Sequence, residues 1–153
     1  MIKTAMADNL KITLLAREHI SEVARLEKEC FIDPRSEKSL DMLIGDSGFG
    51  IVALVEDKVV GYGGIMIALD EGQITDIAVS CGYRRRGIGM EIVKAMIAEA
   101  ASREISTLFL EVRESNRAAR ELYLACGFEE CGVRKNFYRR PTEAAVLMNY
   151  KTL

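Results

Sequence analysis

Apolar residues follow two different spacings along this chain, and the spacing changes from segment to segment. In seven short segments they alternate with polar residues or run together, which is typical of β-strands. These segments are 11–15, 49–55, 59–69, 73–79, 107–112, 128–136 and 144–150. In four other segments they recur every three or four residues, which is typical of amphipathic helices. The predicted helices are 19–31, 36–44, a long one that begins near Gly87, and one after Asn116 that ends at Gly127.

The middle of the chain predicts a strand–turn–helix–strand unit. The segment 73–79 ends in apolar residues, an amphipathic helix follows, and 107–112 is a short apolar strand. A crossover of this kind joins two parallel strands of one sheet. Gly61, Gly63 and Gly64 lie in the preceding strand, which predicts a bulge or a close approach to its backbone.

The residues between the strand and the helix of this unit have the composition of an anion-binding turn. The run from Gly82 to Met90 is G-Y-R-R-R-G-I-G-M. Glycine lets the backbone approach a ligand, the first N–H groups of a helix lack partners within it, and arginine donates charge-assisted hydrogen bonds. We interpret this run as a turn that holds the diphosphate of a coenzyme. The alternative is a glycine-softened helix start with solvated arginines.

Two common nucleotide-binding motifs do not fit this turn. A dinucleotide fold has G-x-G-x-x-G directly after a strand, whereas the third glycine is absent here. The P-loop pattern G-x-x-x-x-G-K-[ST] is also absent from the chain. The turn therefore needs support from other residues before its ligand can be named.

The composition is that of an ordinary globular protein. The chain has 153 residues, 49% of them hydrophobic and 29% charged, and a net charge of −2. This length predicts a single domain, residues 1–153. The small net charge gives no basic field for nucleic acid, and no apolar run approaches the ~18 residues of a membrane span. Residues 1–8 lack the apolar core of a signal peptide, so we expect a cytoplasmic protein.

Histidine and cysteine limit the possible chemistry. The one histidine, His19, lies where the first helix is predicted to begin, and we expect it at the surface without a catalytic role. This excludes a Ser–His–Asp or Cys–His mechanism and most histidine-rich metal sites, so no metal is expected. Cys30, Cys81, Cys126 and Cys131 form no C-x-x-C pair and no zinc spacing. We expect four free thiols that are buried or half-buried.

Three residues beyond the turn are candidates for chemistry or for structure. Glu111 interrupts an apolar strand, where a buried carboxylate needs a partner or a purpose. It suits a general base, or it pairs with Arg113 or Arg117, or it faces solvent. Tyr123 lies on the apolar stripe of the last helix, which favours a core tyrosine with its hydroxyl at the surface. Asn116 is expected to cap that helix.

Together these runs resemble the GNAT acetyltransferase superfamily, and within it the RimI group of protein N-terminal acetyltransferases. The matching runs are D-I-A-V at 76–79, Y-R-R-R-G-I-G at 83–89, and L-E-V-R-E-S-N at 110–116 with the tyrosine at 123. The resemblance covers nearly the whole chain in element order. It implies an α/β (α+β) GNAT fold: one mixed, mostly antiparallel seven-stranded sheet, splayed between strands 4 and 5, with about four helices.

The resemblance also implies how the coenzyme is held. Acetyl-CoA would be the cosubstrate, with its pantetheine arm along Ile77, Ala78 and Val79. Asn116 would contact the coenzyme, and backbone N–H groups of the turn would bind its diphosphate. The turn residues concerned are Arg84, Arg85, Arg86, Gly87, Ile88, Gly89 and Met90.

The implied chemistry is direct transfer of the acetyl group from the thioester to an amine. Glu111 would be the general base that takes a proton from the acceptor, directly or through a water. A strand-end N–H, preferably that of Val79, would meet the developing oxyanion, and Tyr123 would protonate the leaving thiolate. No cysteine nucleophile is required, so Cys126 is expected to be a packing residue.

The residues expected on the acceptor side depart from the family pattern. The RimI group commonly has C-F-x-x-P-W-S after its first helix, whereas this chain has C-F-I-D-P-R-S, with Arg35 in place of tryptophan. Near the end the family often has an aspartate after its aromatic pair. Here Phe137 and Tyr138 are followed by two arginines, and the next acidic residue is Glu143.

The resemblance implies a peptide acceptor, with neither nucleic acid nor membrane as a partner. The expected target is the N-terminal α-amine of a protein, and by resemblance a ribosomal protein that begins with Ala or Ser. Two alternatives remain open at this point. One is a small-amine or lysine acetyltransferase, and the other is a non-catalytic module that binds acetyl-CoA.

Overall fold

The structure is a computed structural model that describes residues 9–153 of the chain. This range contains seven strands and four α-helices. Residues 1–8, for which the sequence predicts no signal peptide, lie outside the described residues. The strands are β1 (Leu10–Leu14), β2 (Gly48–Val55), β3 (Lys58–Ala68), β4 (Glu71–Val79), β5 (Thr107–Arg113), β6 (Glu129–Tyr138) and β7 (Glu143–Lys151). The helices are α1 (Ile20–Cys30), α2 (Glu37–Leu40), α3 (Ile88–Ser102) and α4 (Arg117–Ala125). Short 3-10 turns occupy Arg17–His19, Asp41–Leu43 and Cys81–Tyr83.

All seven strands belong to one sheet, in the order β1-β2-β3-β4-β5-β7-β6. The pair formed by β4 and β5 is parallel, and the other neighbouring pairs are antiparallel. The predicted mixed, mostly antiparallel sheet is therefore confirmed. The crossover is confirmed too, because α3 connects β4 to the parallel strand β5.

The helices cover both faces of the sheet with separate cores. On one face, Val23 and Leu26 of α1 pack with α2 and with sheet residues such as Tyr62. On the other face, Ile92 of α3 and Tyr123 of α4 belong to a larger core. Each long helix buries the stripe that its apolar spacing predicts, because only that stripe can face the sheet.

The sheet opens between its two central strands. The parallel pairing of β4 and β5 is limited to Glu71–Gln73 against Thr107–Phe109. Beyond that point β4 continues to Val79 and β5 to Arg113 without pairing. The predicted splay between the fourth and fifth strands is confirmed. It leaves a gap that is accessible to side chains from either face of the sheet.

A β-bulge lies where the two strands separate. Thr75 and Asp76 of β4 together oppose Gly64 of β3, and such a bulge bends and twists its strand. A Cβ on Gly64 would lie 2.8 Å from Thr75 Oγ1, and a Cβ on Gly63 would lie 2.6 Å from Met96 Sδ. The glycines of β3 thus serve both predicted purposes, a bulge and a close approach.

One sequence-based expectation about local structure was confirmed only in part, and another was wrong. The predicted helix 36–44 is a helix of four residues, α2, followed by the 3-10 turn Asp41–Leu43. His19 is buried rather than at the surface, with 9% of its area exposed. Its Nδ1 accepts a hydrogen bond from Ala16 N at 2.9 Å, so the imidazole closes the turn that precedes α1.

The cysteines confirm one expectation and contradict another. All four thiols are free, and Cys30 and Cys126 are half-buried as expected. Cys81 and Cys131 are exposed instead, because Cys81 lies in the turn after β4 and Cys131 lies on the edge strand β6. Cys126 packs against the larger core, in agreement with a packing role.

Candidate active site

A cavity of about 720 Å³ lies beside the open end of β4. Its walls are the end of β4, the turn after it, the start of α3 and one side of α4. Most residues expected to hold CoA line it, namely Ile77, Ala78, Val79, Arg84, Arg85, Gly87, Ile88, Gly89, Met90 and Asn116. Tyr123 lines it as well, whereas Glu111 and Arg86 do not. The guanidinium of Arg86 lies over the ring of Tyr83, 5.2 Å from its centroid.

The turn before α3 offers unpaired backbone N–H groups. Gly87 is the N-cap of α3 with φ at 80°, and Arg85 has a positive φ of 63°. The first helical hydrogen bond runs from Glu91 N to Gly87 O, so the N–H groups before Glu91 have no partner within the helix. With the positive end of the helix dipole, they form an anion-binding position suited to a diphosphate.

The backbone of β4 also turns hydrogen-bonding groups toward the gap. Ser80 N donates to Val60 O at 2.8 Å, and Val79 lies opposite Gly61. In an antiparallel ladder this makes Val79 and Gly61 a non-hydrogen-bonded pair, so the Val79 N–H points away from β3. Two residues earlier, Ile77 has the same orientation. Both residues can therefore bond to a ligand that lies along β4.

Two charged side chains fix the turn to the rest of the fold. Arg84 Nε donates to Val79 O at 2.9 Å. Glu29 of α1 accepts a hydrogen bond from Cys81 N at 2.7 Å and another from Ser80 Oγ at 3.2 Å. Part of the Arg84 guanidinium is thus used to hold β4, and α1 sets the position at which the turn begins.

Helix α4 contributes Asn116 and Tyr123. The Oδ1 of Asn116 accepts a hydrogen bond from Ala119 N at 3.1 Å, which confirms its role as a cap. Tyr123 is buried and its ring packs edge-on against Phe128, with 5.5 Å between centroids. Burial, followed by the charge of Asp76, raises the pKa of Tyr123. Its hydroxyl therefore keeps its proton at neutral pH and can donate it.

Glu111 reaches the gap from β5. Its neighbours Leu110 and Val112 are buried in the same core as Tyr123, so Glu111 points to the opposite face of the sheet. It is half-buried, and its Oε1 accepts a hydrogen bond from Gln73 Nε2 at 3.0 Å. Glu111 and Tyr123 therefore approach the gap from opposite sides.

Arg113, one of the two arginines that the sequence suggests as partners for Glu111, contacts Glu143 and Tyr138 instead. Its Nη1 lies 3.2 Å from Glu143 Oε1, and its guanidinium lies over the ring of Tyr138 at 4.5 Å. Burial, followed by the charge of Glu111, raises the pKa of Tyr138 to about 12. The charge of Asp76 contributes in the same direction.

Sequence reasoning missed a buried polar cluster on the α1 side of the gap. Glu27 and Tyr62 are fully buried, and the Tyr62 hydroxyl donates to Glu27 Oε2. Arg35 N donates to Glu27 Oε1 at 2.8 Å, and Arg35 Nε donates to Asp76 Oδ2 at 2.9 Å. One signal was present in the sequence, because Glu27 falls on the apolar stripe of the first helix, four residues after Val23.

This environment changes the acidity of Asp76. Burial is the main cause that raises its pKa to about 7, and a hydrogen bond with the carboxyl of Glu27 adds to the rise. The charge of Arg35 acts in the opposite direction. A carboxyl group that titrates near neutral pH and lies beside a cleft is a candidate for function.

Comparison with known proteins agrees with this geometry. Residues 20–128 match the family model for the acetyltransferase (GNAT) family. The chain belongs to the GNAT acetyltransferase family. It is accordingly an acetyltransferase, and acetyl-CoA is the cosubstrate that this family uses.

Several relatives share most of their length with this chain. It is 32% identical over 141 residues to a "[Ribosomal protein bS18]-alanine N-acetyltransferase" of Salmonella typhimurium, a match that covers 90% of this chain and 94% of the relative. The protein of that name from Escherichia coli strain K12 gives the same identity and coverage. A protein of Bacillus subtilis named as a putative enzyme of this kind is 32% identical over 133 residues, or 86% of this chain and 88% of the relative.

Solved structures show the same fold. The ribosomal-protein-S18-alanine N-acetyltransferase of Escherichia coli superimposes with a TM-score of 0.86 at 30% identity, covering 94% of each chain. Ard1 from Thermoplasma volcanium superimposes with a TM-score of 0.83 at 22% identity, covering 95% of this chain and 99% of the other. The second likeness concerns the fold alone.

The cavity combines free N–H groups at a helix start with free N–H groups along a strand edge. The first set suits an anion such as a diphosphate. Within residues 9–153, no group of three or more His, Cys, Asp or Glu side chains is arranged to hold a metal ion. No helix in that range is both long and apolar enough to cross a membrane.

Proposed function

We propose that this GNAT enzyme acetylates the N-terminal α-amine of a protein, and that its acceptor is a ribosomal protein beginning with Ala or Ser. The observation that carries the proposal is the 32% identity over 141 residues to bS18-alanine N-acetyltransferases. The geometry supports it, because Glu111 and Tyr123 reach the same gap from opposite faces of the sheet. A ribosomal acceptor fits an enzyme of the cytoplasm.

The residues around the cavity would bind the cosubstrate. Backbone N–H groups from Arg85 to Met90 would hold the diphosphate, with Arg84 and Arg86 adding positive charge nearby. The outward N–H groups of Ile77 and Val79 would bond to the pantetheine arm, with Ala78 between them. Asn116, at the start of α4, would contact the same arm. When bound, acetyl-CoA supplies an acetyl group activated as a thioester.

Three groups of the chain would then share the chemistry. Glu111 takes a proton from the acceptor amine, since it lies on the acceptor side of the gap and is held by Gln73. The N–H of Val79 donates to the acetyl oxygen as negative charge develops on it. Tyr123 donates its proton to the leaving sulfur. Acid–base groups of this kind each contribute roughly 10²–10⁴ in rate.

The test is a panel of amines offered to the purified enzyme with acetyl-CoA. The panel contains peptides that begin with Ala, Ser or Met, the same peptides with a blocked N-terminus and an internal lysine, and polyamines. Release of free CoA gives the rate, and the mass of the product gives the acetylated position. We expect Ala- and Ser-starting peptides to be modified at the α-amine, and blocked peptides to remain unchanged.

Other outcomes of the same panel would contradict the proposal. Product on polyamines alone would identify a small-amine acetyltransferase, and product on the internal lysine alone would identify a lysine acetyltransferase. Coenzyme binding with no product on any amine would favour a module that only binds acetyl-CoA. The same assay with an intact ribosomal protein that begins with Ala or Ser tests the acceptor class.

A further inference from the structure

Acetylation of an amine requires two protons to leave the nitrogen, and the proposed mechanism assigns a base to only one of them. An α-amine has a pKa of about 8, so at neutral pH it arrives mainly as an ammonium ion. It must lose one proton before it can attack and a second as the amide bond forms. Glu111 accounts for one proton, and the other requires a second acceptor.

Asp76 is a carboxylate in a suitable position for this task. It lies in the bulge where β4 leaves β5, three residues before Val79. It contacts Arg35 and Tyr62 and so lies on the α1 face of the sheet, the face to which Glu111 also points. Its charge acts on the hydroxyls of both Tyr123 and Tyr138. Its side chain is 23% exposed. Asp76 is therefore mostly buried but remains accessible from the gap.

The contacts of Asp76 fix its carboxylate and leave one oxygen available. Arg35 Nε is 2.9 Å from Oδ2, and the Tyr62 hydroxyl is 3.5 Å from the same atom. The carboxyl of Glu27 shares a hydrogen bond with that of Asp76, and no N–H or hydroxyl group among residues 9–153 donates to Oδ1. Arg35 is itself held, because its backbone N donates to Glu27 and its Nη1 lies 3.3 Å from Ser39 Oγ. The carboxylate is thus oriented before any ligand arrives.

The charged groups closest to Asp76 are the carboxyl of Glu27 and the guanidinium of Arg35. The hydroxyls of Tyr62, Tyr123 and Tyr138 also feel the charge of Asp76. Glu111 of β5 points to the same face of the sheet, and Arg113 is engaged by Glu143. Counted with Asp76 itself, two carboxyl groups lie beside a single guanidinium, and an ammonium ion would balance the second carboxylate.

We propose that Asp76 is the second proton acceptor of the reaction: its free oxygen binds the acceptor ammonium and takes the first proton. Arg35, Glu27 and Tyr62 act as positioning residues that hold Asp76. The inference rests on the proposed transfer to an amine, and it adds a residue to which neither the motifs nor the relatives assign a role.

Every proton transferred in the proposed reaction has a donor and an acceptor. The ammonium R–NH₃⁺ and the Asp76 carboxylate give R–NH₂ and a carboxylic acid. As the C–N bond forms and the C–S bond breaks, Glu111 takes the second proton and Tyr123 gives its own to the sulfur. The proton on Glu111 then restores Tyr123, and the proton on Asp76 leaves to solvent. The pKa of Asp76, raised to about 7 mainly by burial, is close to that of the amine, which favours the transfer.

The test compares the enzyme with Asp76→Asn across pH 6 to 10, using an Ala-starting peptide and saturating acetyl-CoA. Asn keeps the shape of Asp and can still accept from Arg35, but it cannot take a proton. We expect kcat/KM to fall by roughly 10²-fold at pH 7. The loss should shrink by about tenfold by pH 9, because the α-amine then arrives mostly neutral. Full activity at pH 7, or a loss that is the same at every pH, would overturn the proposal.

Variants of Arg35 test its positioning role and supply a second route if Asp76→Asn fails to fold. Arg35→Gln removes the charge that lowers the pKa of Asp76, so the acidic limb of the pH profile should move to higher pH. Arg35→Lys keeps the charge and should return the limb toward its original position. Asp41→Asn, in the exposed pair with Arg17, is the matched control and should leave the profile unchanged. An unmoved limb in Arg35→Gln would contradict the role of Arg35.

A binding measurement without turnover completes the test. Carbon NMR can follow the titration of the Asp76 carboxyl in the enzyme without acetyl-CoA. Adding an Ala-starting peptide should lower the pKa of Asp76, because the ammonium stabilises the carboxylate, whereas the N-acetylated peptide should not. Equal effects of the two peptides would overturn the proposal.

Failure of this inference can be told apart from failure of the proposed function. If the enzyme acetylates a lysine peptide or a polyamine instead of an α-amine, the proposed function fails and Asp76 is tested on that amine. The loss in Asp76→Asn should then persist to about pH 10, because a lysine amine has a pKa of about 10.4. If α-amines are acetylated and Asp76→Asn is fully active, only the inference about Asp76 fails.

Discussion

Gln73 of β4 donates a hydrogen bond to Glu111 of β5 at 3.0 Å. Gln73 also pairs with Phe109 at the last position of the parallel ladder, so the bond spans the point at which the two strands separate. It orients the carboxylate of Glu111 at the start of the gap. One pair of side chains thus orients the proposed base at the point where the sheet opens.

We expect Glu111→Gln to lower kcat by roughly 10²–10⁴-fold, the usual range for removal of an acid–base group. The Kd for CoA should not change, because Glu111 does not line the cavity. Steady-state kinetics and calorimetric titration with CoA measure the two quantities. Glu114→Gln, at an exposed position just after β5, is the control and should behave like the parent. A variant with full kcat would show that another group is the base.

Gln73→Met should lower kcat more moderately, by about tenfold, because it removes the hydrogen bond but leaves the base. A hydrogen bond to a charged group contributes about 1.5–3 kcal/mol, and only part of that acts on orientation. The effect should disappear when Gln73→Met is combined with Glu111→Gln, because the two residues act as one unit. Additive losses in the double variant would show that Gln73 acts independently of Glu111.

Tyr123→Phe should lower kcat by roughly 10²–10⁴-fold while the enzyme still binds CoA and folds normally. Burial and the charge of Asp76 keep the hydroxyl protonated by raising its pKa, and phenylalanine retains the ring contact with Phe128. Tyr150→Phe is the matched control, since Tyr150 packs against Phe128 at 5.3 Å between centroids. Equal rates for Tyr123→Phe and the control would mean that Tyr123 is a core tyrosine without a catalytic role.

Much of the fold was predictable because its determinants are local in sequence. Every strand lies within two residues of the predicted bounds, since alternation and apolar runs specify strands directly. The cap at Asn116 and the glycine end of α4 were also predictable from single positions. The sheet order and the splay depend on pairing between distant strands, and they were available only through resemblance to a family.

The proposed role of Asp76 was not predictable for a physical reason. Asp76 lies between Thr75 and Ile77 of a predicted strand, and its proposed function depends on a bulge that exists only when β4 pairs with β3. Its contact with Arg35 joins positions that are 41 residues apart. The sequence shows that Arg35 replaces the tryptophan of the family pattern. Its ion pair with Asp76 is apparent only from the folded structure.

Gly87→Ala should weaken CoA binding and destabilise the protein. Gly87 has φ at 80°, a conformation that costs a residue with a side chain about 1–2 kcal/mol. Relief of that strain would rotate the N–H groups at the start of α3 away from the diphosphate. Arg85→Gly is the comparison, because Arg85 also has positive φ and glycine would remove strain there. Thermal unfolding and the Kd for CoA are the measurements, and an unchanged Kd in Gly87→Ala would contradict this use of the turn.

Asp76→Asn should be more stable than the parent above pH 7, although less active. The pKa of Asp76 is about 7 in the folded protein and about 3.9 in an unfolded chain. The folded state therefore binds the proton more tightly, and the free energy of unfolding should fall as pH rises from about 4 to about 7. Asn cannot ionise, so the variant lacks this decrease.

The expected gain for Asp76→Asn is at most about 4 kcal/mol, at about 1.4 kcal/mol for each pKa unit. The Asn amide can donate to Glu27 and its oxygen can accept from Arg35, which preserves the cluster. Denaturant unfolding of the parent, Asp76→Asn and the control Asp41→Asn at pH 5 and pH 8 measures the difference. The parent and Asp41→Asn should lose stability between these pH values, and Asp76→Asn should lose less. A parallel loss in all three proteins would show that Asp76 is ionised throughout this range and that its ion pair with Arg35 outweighs the cost of burial.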